Sequence, residues 1–141
     1  MKKTLTTVAA AAAALTAAAA VPAAAQSPSE RAQARLAQDL EGRVAGEPTS
    51  CINVYSTSGR SLRVVENVGL VYERGDTIWV ARALNPDQLD YWDIPVIERF
   101  GAGSRLCKYD VTRTIDQSGF FSGVVFLDDF VPYTKVDEDD G

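Results

Sequence analysis

The sequence predicts a mainly β fold, α+β at the margin: a small antiparallel barrel or roll of about six to eight short strands, with one N-terminal helix and one disulfide. Three observations lead to this prediction. From Ser50 onward, short runs rich in Val, Ile, Tyr and Phe alternate with Gly, Asn, Asp and Pro, a pattern typical of strands and turns. A stretch with helical apolar spacing precedes these runs. The chain has only two cysteines, an even number that suits a disulfide.

The N-terminus has the three zones of a secretory signal peptide. Lys2 and Lys3 give a positive start, an alanine-rich apolar run extends to Val21, and Ala23-Ala24-Ala25 supplies the small residues that signal peptidase reads. We expect cleavage near Ala25, which removes residues 1–25 and places the mature chain in the periplasm or outside the cell. The alternative, a membrane anchor, is disfavoured because Pro22 interrupts the run before it reaches spanning length. No stable membrane insertion is therefore expected after cleavage.

The net charge limits the class of partner. The full chain carries a formal charge of −5, and loss of Lys2 and Lys3 with the signal peptide would make it −7. Nucleic acid and anionic lipid both require a basic surface, so neither is expected as the main partner. A cationic protein is permitted as a partner, although the same charge also serves solubility alone.

Residues 26–49 are predicted to form a helix and a linker. Ser27 can cap the helix, Pro28 suits its first turn, and Glu30 stands where a capping-box carboxylate belongs. A thin apolar stripe follows at helical spacing, which indicates a surface helix. The stripe consists of Ala32, Leu36, Leu40 and Val44.

Residues 50–135 are predicted to form the β-rich domain, and residues 136–141 an acidic disordered tail. The predicted strands are Cys51–Tyr55, Leu62–Asn67, Leu70–Glu73, Thr77–Ala83, Val96–Phe100, Arg105–Lys108, Asp110–Ile115 and Gly123–Leu127. The clearest hairpin turns through Arg74-Gly75-Asp76, where Gly75 can adopt a positive φ. Phe120, Phe121 and the residues from Phe126 to Tyr133 are expected to complete the main core.

Cys51 and Cys107 are predicted to form a structural disulfide, because an even number of cysteines in an exported chain is typical of one. The alternative, a redox-active thiol pair, is disfavoured since the two residues do not form a Cys-x-x-Cys arrangement.

Few catalytic groups are available in this sequence. The chain has no histidine, which excludes Ser–His and Cys–His nucleophiles and most transition-metal sites. Neither of the glycine-rich phosphate-binding motifs occurs. Among carboxylates, Asp110 and Asp116 bracket one predicted strand, which would hold them roughly 20 Å apart. They are more simply turn residues, and a functional role for them is left open.

Asp87, Asp90 and Asp93 recur at every third position of the longest irregular stretch. Their oxygens could bind calcium, but the stretch lacks the glycine and distal glutamate of an EF-hand loop. A solvated acidic loop is the favoured interpretation, and no metal or cofactor is predicted.

Tyr91 and Trp92, with Trp79 on a neighbouring strand, form the best candidate for a recognition surface, because exposed aromatics commonly anchor interfaces and sugar sites. The competing interpretation is that Trp79 and Trp92 pack beneath the loop as a minor core.

A series of short motifs runs from residue 41 to residue 135. These are Cys51-Ile52, Val71-Tyr72, Ile78-Trp79-Val80, Arg105-Leu106-Cys107 with Asp110, Asp116 before a glycine turn, and Gly123 with Phe130-Val131-Pro132-Tyr133. Together they resemble a family of small secreted proteobacterial proteins of unknown function, common in the sphingomonad group. The resemblance implies export, a Cys–Cys pair and a compact β-rich domain, and it implies no activity, cofactor or catalytic residue.

Three functional hypotheses follow from the sequence. The first is a non-enzymatic periplasmic or secreted domain that binds a ligand or supports the envelope. The second is an inhibitor of a cationic envelope-directed enzyme such as lysozyme, which acidic charge would favour electrostatically. The third is a carboxylate-based hydrolase, which requires two acidic side chains close together in a pocket.

Overall fold

A computed structural model describes residues 25–55, 61–98 and 103–136 of the chain. The predicted signal peptide, apart from Ala25, and residues 137–141 of the predicted tail lie outside the described residues. The elements in chain order are α1 (Pro28–Leu40), β1 (Arg43–Ala45), β2 (Cys51–Asn53), β3 (Leu62–Val65), β4 (Gly69–Arg74), β5 (Thr77–Ala83), a 3₁₀ turn (Pro86–Gln88), β6 (Ile94–Glu98), β7 (Arg105–Cys107), β8 (Val111–Ile115), β9 (Phe121–Val125) and β10 (Leu127–Lys135).

The strands form three antiparallel sheets. The largest has five strands in the order β1-β10-β5-β4-β3, the second pairs β2 with β7, and the third has the order β6-β8-β9. The predicted mainly β, antiparallel fold with one helix and one disulfide is confirmed. Of the two forms that the sequence left open, the barrel is not observed, because β1 and β3 remain at opposite edges of the five-stranded sheet among the described strands.

Two hydrophobic clusters hold the layers together, one on each face of the five-stranded sheet. The smaller joins Leu36 of α1 to Val71 and Ile78, and the larger joins Leu70 and Tyr72 to the two smaller sheets. Successive residues of a strand point to opposite faces. The continuous apolar run of β4 therefore supplies both clusters.

The start of α1 has the predicted cap. The backbone N–H of Glu30 donates to Ser27 Oγ at 3.2 Å, and the backbone N–H of Ser27 donates to Glu30 Oε2 at 2.6 Å. This reciprocal capping box satisfies two backbone donors that the first helical turn would otherwise leave unpaired. Leu36 is the buried residue of the helix, which fits the thin apolar stripe in the sequence.

The predicted disulfide is confirmed. Cys51 and Cys107 are direct cross-strand partners in the β2–β7 sheet, and their sulfurs are 2.03 Å apart. The bridge joins positions separated by 56 residues. The neighbouring pair, Ile52 and Leu106, is buried in the larger core cluster, so the bridge anchors the small sheet beside the core.

The expectation that Phe120, Phe121 and Phe126 complete the main core is wrong, because these residues are 71%, 65% and 62% exposed. Phe130, which belongs to the same expected stretch, is fully buried in the larger core cluster. The sequence interpretation also omitted β10, the longest strand, and the short edge strand β1. The described chain consequently has more strands than predicted. Phe120 and Phe121 follow the β8–β9 turn, and Phe126 lies between two strands, where its side chain remains in solvent.

Candidate functional site

A concave surface lies where α1, the edge strand β3, the end of β4 and the start of β6 meet. It is an open groove of about 930 Å³. We call it the edge groove. Its lining includes Arg31 and Arg35 on α1, Arg63 on β3, and Tyr91 and Trp92 before β6.

Two exposed aromatic rings form one wall of the edge groove. The rings of Tyr91 and Trp92 meet edge to face, with centroids 4.7 Å apart and planes at 82°. Their exposed fractions are 37% and 53%. Edge-to-face packing fixes each ring against the other and leaves part of each surface open to a ligand. The structure therefore keeps two of the three predicted recognition residues together at a groove.

Trp79 lies elsewhere. It stands opposite Tyr72 across the β4–β5 pair, with ring centroids 5.6 Å apart, and packs half-buried against the larger core cluster. It is not among the described residues that line the edge groove. The expected minor core beneath the loop is therefore not observed: Trp79 packs against the larger core cluster, and Trp92 remains exposed.

The aspartates of the loop position these aromatics. Asp90 Oδ1 accepts a hydrogen bond from the backbone N–H of Trp92 at 2.9 Å, and Asp93 Oδ2 accepts one from the backbone N–H of Asp90 at 2.8 Å. Ser122 of β9 donates to Asp93 Oδ1 at 2.6 Å and ties the loop to a strand. These carboxylates accept hydrogen bonds from nearby backbone and side-chain groups, as expected of turn residues. No group of three or more His, Cys, Asp or Glu that could hold a metal occurs in the described ranges.

Arginines of α1 also line the edge groove. Arg31 and Arg35 are both exposed, lie one helical turn apart on α1, and form no ion pair with any residue in the described part of the chain. Like charges at this spacing disfavour an isolated helix by a few tenths of a kcal/mol. They therefore supply unneutralised positive charge along the edge groove.

The other two arginines of the edge groove have partners. Arg63 lies 3.4 Å from an oxygen of Asp39 and 3.5 Å from one of Glu73, and the guanidinium of Arg74 lies 4.1 Å from the centre of the Tyr55 ring. Arg63 thus links α1, β3 and β4 by pairing with two of the three carboxylates in the lining. The lining counts four arginines against three carboxylates, a positive surface on a chain of net charge −5.

Asp110 and Asp116 lie at the two ends of β8 and serve its turns. Asp110 Oδ2 accepts from the backbone N–H of Cys107 at 2.7 Å, while Asp116 Oδ1 accepts from the backbone N–H groups of Ser118 and Phe120 at 2.8 and 3.0 Å. Such bonds are what short acidic side chains provide in turns. The structure does not bring these two carboxylates together in a pocket.

Sequence reasoning missed the basic side of the edge groove. The spacing of Arg31 and Arg35 was a usable signal, since residues four apart share a helix face. Arg63 and Arg74 belong to the edge groove only through the pairing of β3 with β4 and the docking of α1, which no local pattern reveals.

Within the described residues, no helix is both long enough and apolar enough to cross a membrane. Comparison of the chain with protein families, curated proteins and solved structures found no match.

Proposed function

We propose that the chain is an exported, non-enzymatic binding domain whose recognition surface is the edge groove. The signal-peptide pattern and the disulfide support export, because disulfides persist in oxidising compartments. The resemblance to small secreted proteobacterial proteins belongs to the same proposal. Binding rather than catalysis is supported by the role of Asp110 and Asp116 as turn residues.

One observation carries the assignment of ligand chemistry: two arginines without an ion-pair partner among the described residues line the same groove as two exposed aromatic rings. Arginine forks bind carboxylate and phosphate groups through paired hydrogen bonds. Exposed Tyr and Trp offer large rigid contact surfaces. A ligand that contacts both the arginines and the aromatic rings would carry anionic groups beside flat apolar surfaces.

The test is a titration of the protein with a fluorescently labelled peptide in which glutamate alternates with tyrosine, at low salt. We expect saturable binding that weakens with added salt, since exposed charge pairs are screened. Replacing both Arg31 and Arg35 by Gln should weaken binding at least about 10-fold, given that hydrogen bonds to charged groups contribute about 1.5–3 kcal/mol each. Trp92→Ala should also weaken it.

The matched control replaces Arg82 and Arg105 by Gln. Both are exposed and neither lines the edge groove, so the same charge change should leave binding intact. Equal losses of affinity in the two double variants would show that binding depends on net charge alone. That result would contradict the edge groove as the binding site. A peptide with lysine in place of glutamate should not bind.

The inhibitor hypothesis predicts a different result with the same protein. Acidic net charge alone favours a cationic enzyme, whereas the edge groove is positive and would repel one. We therefore expect lysozyme activity at low salt to be unchanged by the protein. Inhibition that survives the Arg31 and Arg35 substitutions would assign function to another surface.

A further inference from the structure

The outward side of the β6-β8-β9 sheet carries a contiguous apolar face. In β8, Thr112 and Thr114 point inward and are buried, so Val111, Arg113 and Ile115 point outward. Strand register extends this face across three rows, which are Ile94, Ile115 and Phe121; Val96, Arg113 and Val124; and Glu98 with Val111. We call these eight residues the outer face.

The apolar residues of the outer face belong to neither core cluster of the described residues. Phe121, Ile94, Val96 and Val111 are 65%, 46%, 38% and 37% exposed. Single exposed apolar side chains are ordinary, whereas a contiguous group of them on one sheet face is a candidate interaction site.

The only charges on the outer face are an ion pair. Arg113 on β8 and Glu98 on β6 lie 3.1 Å apart, with side chains 48% and 43% exposed. The outer face is therefore neutral on a chain of net charge −5. Two copies of an acidic protein repel each other through most of their surface, and a neutral face is where that repulsion is weakest.

We propose that the outer face is a self-association surface that binds a second copy of this chain around a two-fold axis. In a two-fold interface the same patch meets itself, so it must be self-complementary. The two-fold axis lies in the plane between the two facing sheets and passes midway between Arg113 and Glu98. Rotation about it brings Arg113 of each copy to Glu98 of the other. Val96 and Val111 occupy the other two corners of this group and lie near the axis, where each meets its own counterpart.

The size of the outer face sets the expected affinity. Three strands of five residues span about 15 by 17 Å at ordinary strand spacing. That is small beside the roughly 800 Å² per partner of a standard interface. The association is accordingly weak, with a dissociation constant on the order of 10 µM or above.

The experiment measures sedimentation velocity of the purified protein from about 1 µM to about 1 mM, a range that begins below 10 µM and extends about 100-fold above it. Wild type is expected to shift from monomer to dimer. The variants R113E and E98R each place like charges across the axis and should dimerise at least about 10-fold more weakly. An equimolar mixture of the two should recover a dimer, because their faces are then of opposite charge.

The mixture separates association from folding. Each variant lacks the pair within its own chain, so a recovered dimer reports contact between chains. Loss of an exposed pair costs little stability, which thermal unfolding of each variant checks. The control K135E removes a second exposed pair, Lys135 with Asp76 at 3.9 Å, on the other sheet and should dimerise as wild type does.

Three results would overturn the proposal. They are a wild-type protein that stays monomeric throughout the range, an R113E variant that dimerises as wild type does, and a mixture that dimerises no better than its components. If the wild-type protein stays monomeric, the partner of the outer face would be a different protein. The outer face shares Ile94 with the edge groove, but neither Arg113 nor Glu98 lines the groove, so the charge variants test the outer face alone.

Discussion

Gly69, the first residue of β4, has a φ of +148°, and its α-carbon faces the neighbouring strand β5. A β-carbon there would meet the carbonyl oxygen of Ala81 and lie 2.6 Å from the nitrogen of Ala83. Both groups are backbone, so they cannot rotate away. Gly75, in the next turn, also has a positive φ of 58°, but a β-carbon there would have no atom within 4 Å.

We expect Gly69→Ala to destabilise the protein by about 3 kcal/mol or more, because backbone strain and steric overlap add together. Gly75→Ala should cost about 1 kcal/mol, the conformational cost alone. Urea unfolding of both variants measures the difference. Equal costs would mean that β4 and β5 separate more easily than their packing indicates.

A second residue-scale effect concerns Lys108, which follows β7. Its ammonium lies 2.8 Å from Asp129 of β10, and this hydrogen bond is the main reason why the pKa of Lys108 is raised above its ordinary value. The contact connects the small disulfide-bonded sheet to the five-stranded sheet.

At the scale of elements, the capping box at the start of α1 makes helix stability depend on pH. The pKa of Glu30 is lowered because its carboxylate accepts hydrogen bonds from the backbone and side chain of Ser27. A carboxylate with a lowered folded pKa contributes stability above its unfolded pKa of about 4.3, and that contribution is lost as pH falls through the folded value.

We therefore expect Glu30→Gln to lower the urea midpoint relative to wild type at pH 7, with the difference disappearing as the pH falls through the folded pKa and the wild-type carboxylate is protonated. Glu47→Gln makes the same charge change at an exposed position outside the helix and should show little difference at either pH. If the stability difference caused by Glu30→Gln persists at low pH, its origin is packing rather than the charged cap.

Elements with strong local signals could be predicted from the sequence. The Ser27 cap gave the start of α1, and Gly75 gave the β4–β5 hairpin. By contrast, β10 was missed because Asp128, Asp129 and Pro132 disfavour a strand locally. Pairing on both sides, with β1 and β5, overrides those preferences.

The same distinction applies to the candidate site. Tyr91 and Trp92 could be chosen from composition, because adjacent aromatics in an acidic loop are conspicuous. Whether an aromatic is open or packed depends on strand register, which set Trp79 against Tyr72 and left Phe121 in solvent. The outer face could not be predicted for that reason, since alternation in β8 shows two faces without telling which one is covered.

At the scale of the whole molecule, the disulfide connects fold to compartment. Cys51 and Cys107 close a loop that contains β3 to β6. The chain-entropy estimate for a loop of this length is on the order of 4 kcal/mol, which is a large part of the stability of a small domain.

Mass spectrometry of protein recovered after export should show a chain that begins near Gln26 and is lighter by two hydrogens than its reduced form. The Cys51→Ser, Cys107→Ser double variant should be less stable by up to about 4 kcal/mol in urea. Free thiols in the exported protein would remove the basis for an oxidising compartment. An intact N-terminus would instead contradict cleavage near Ala25.

Strand β10 has a consequence for how the protein is made. It is the last strand of the described chain, yet it lies inside the five-stranded sheet between β1 and β5 and supplies the fully buried Phe130. A growing or translocating polypeptide therefore cannot assemble this sheet until residue 135 has emerged. Domains generally fold as units. Here assembly of the five-stranded sheet waits for β10, which would suit the proposed export, because a chain whose sheet is not yet assembled can pass through a narrow channel.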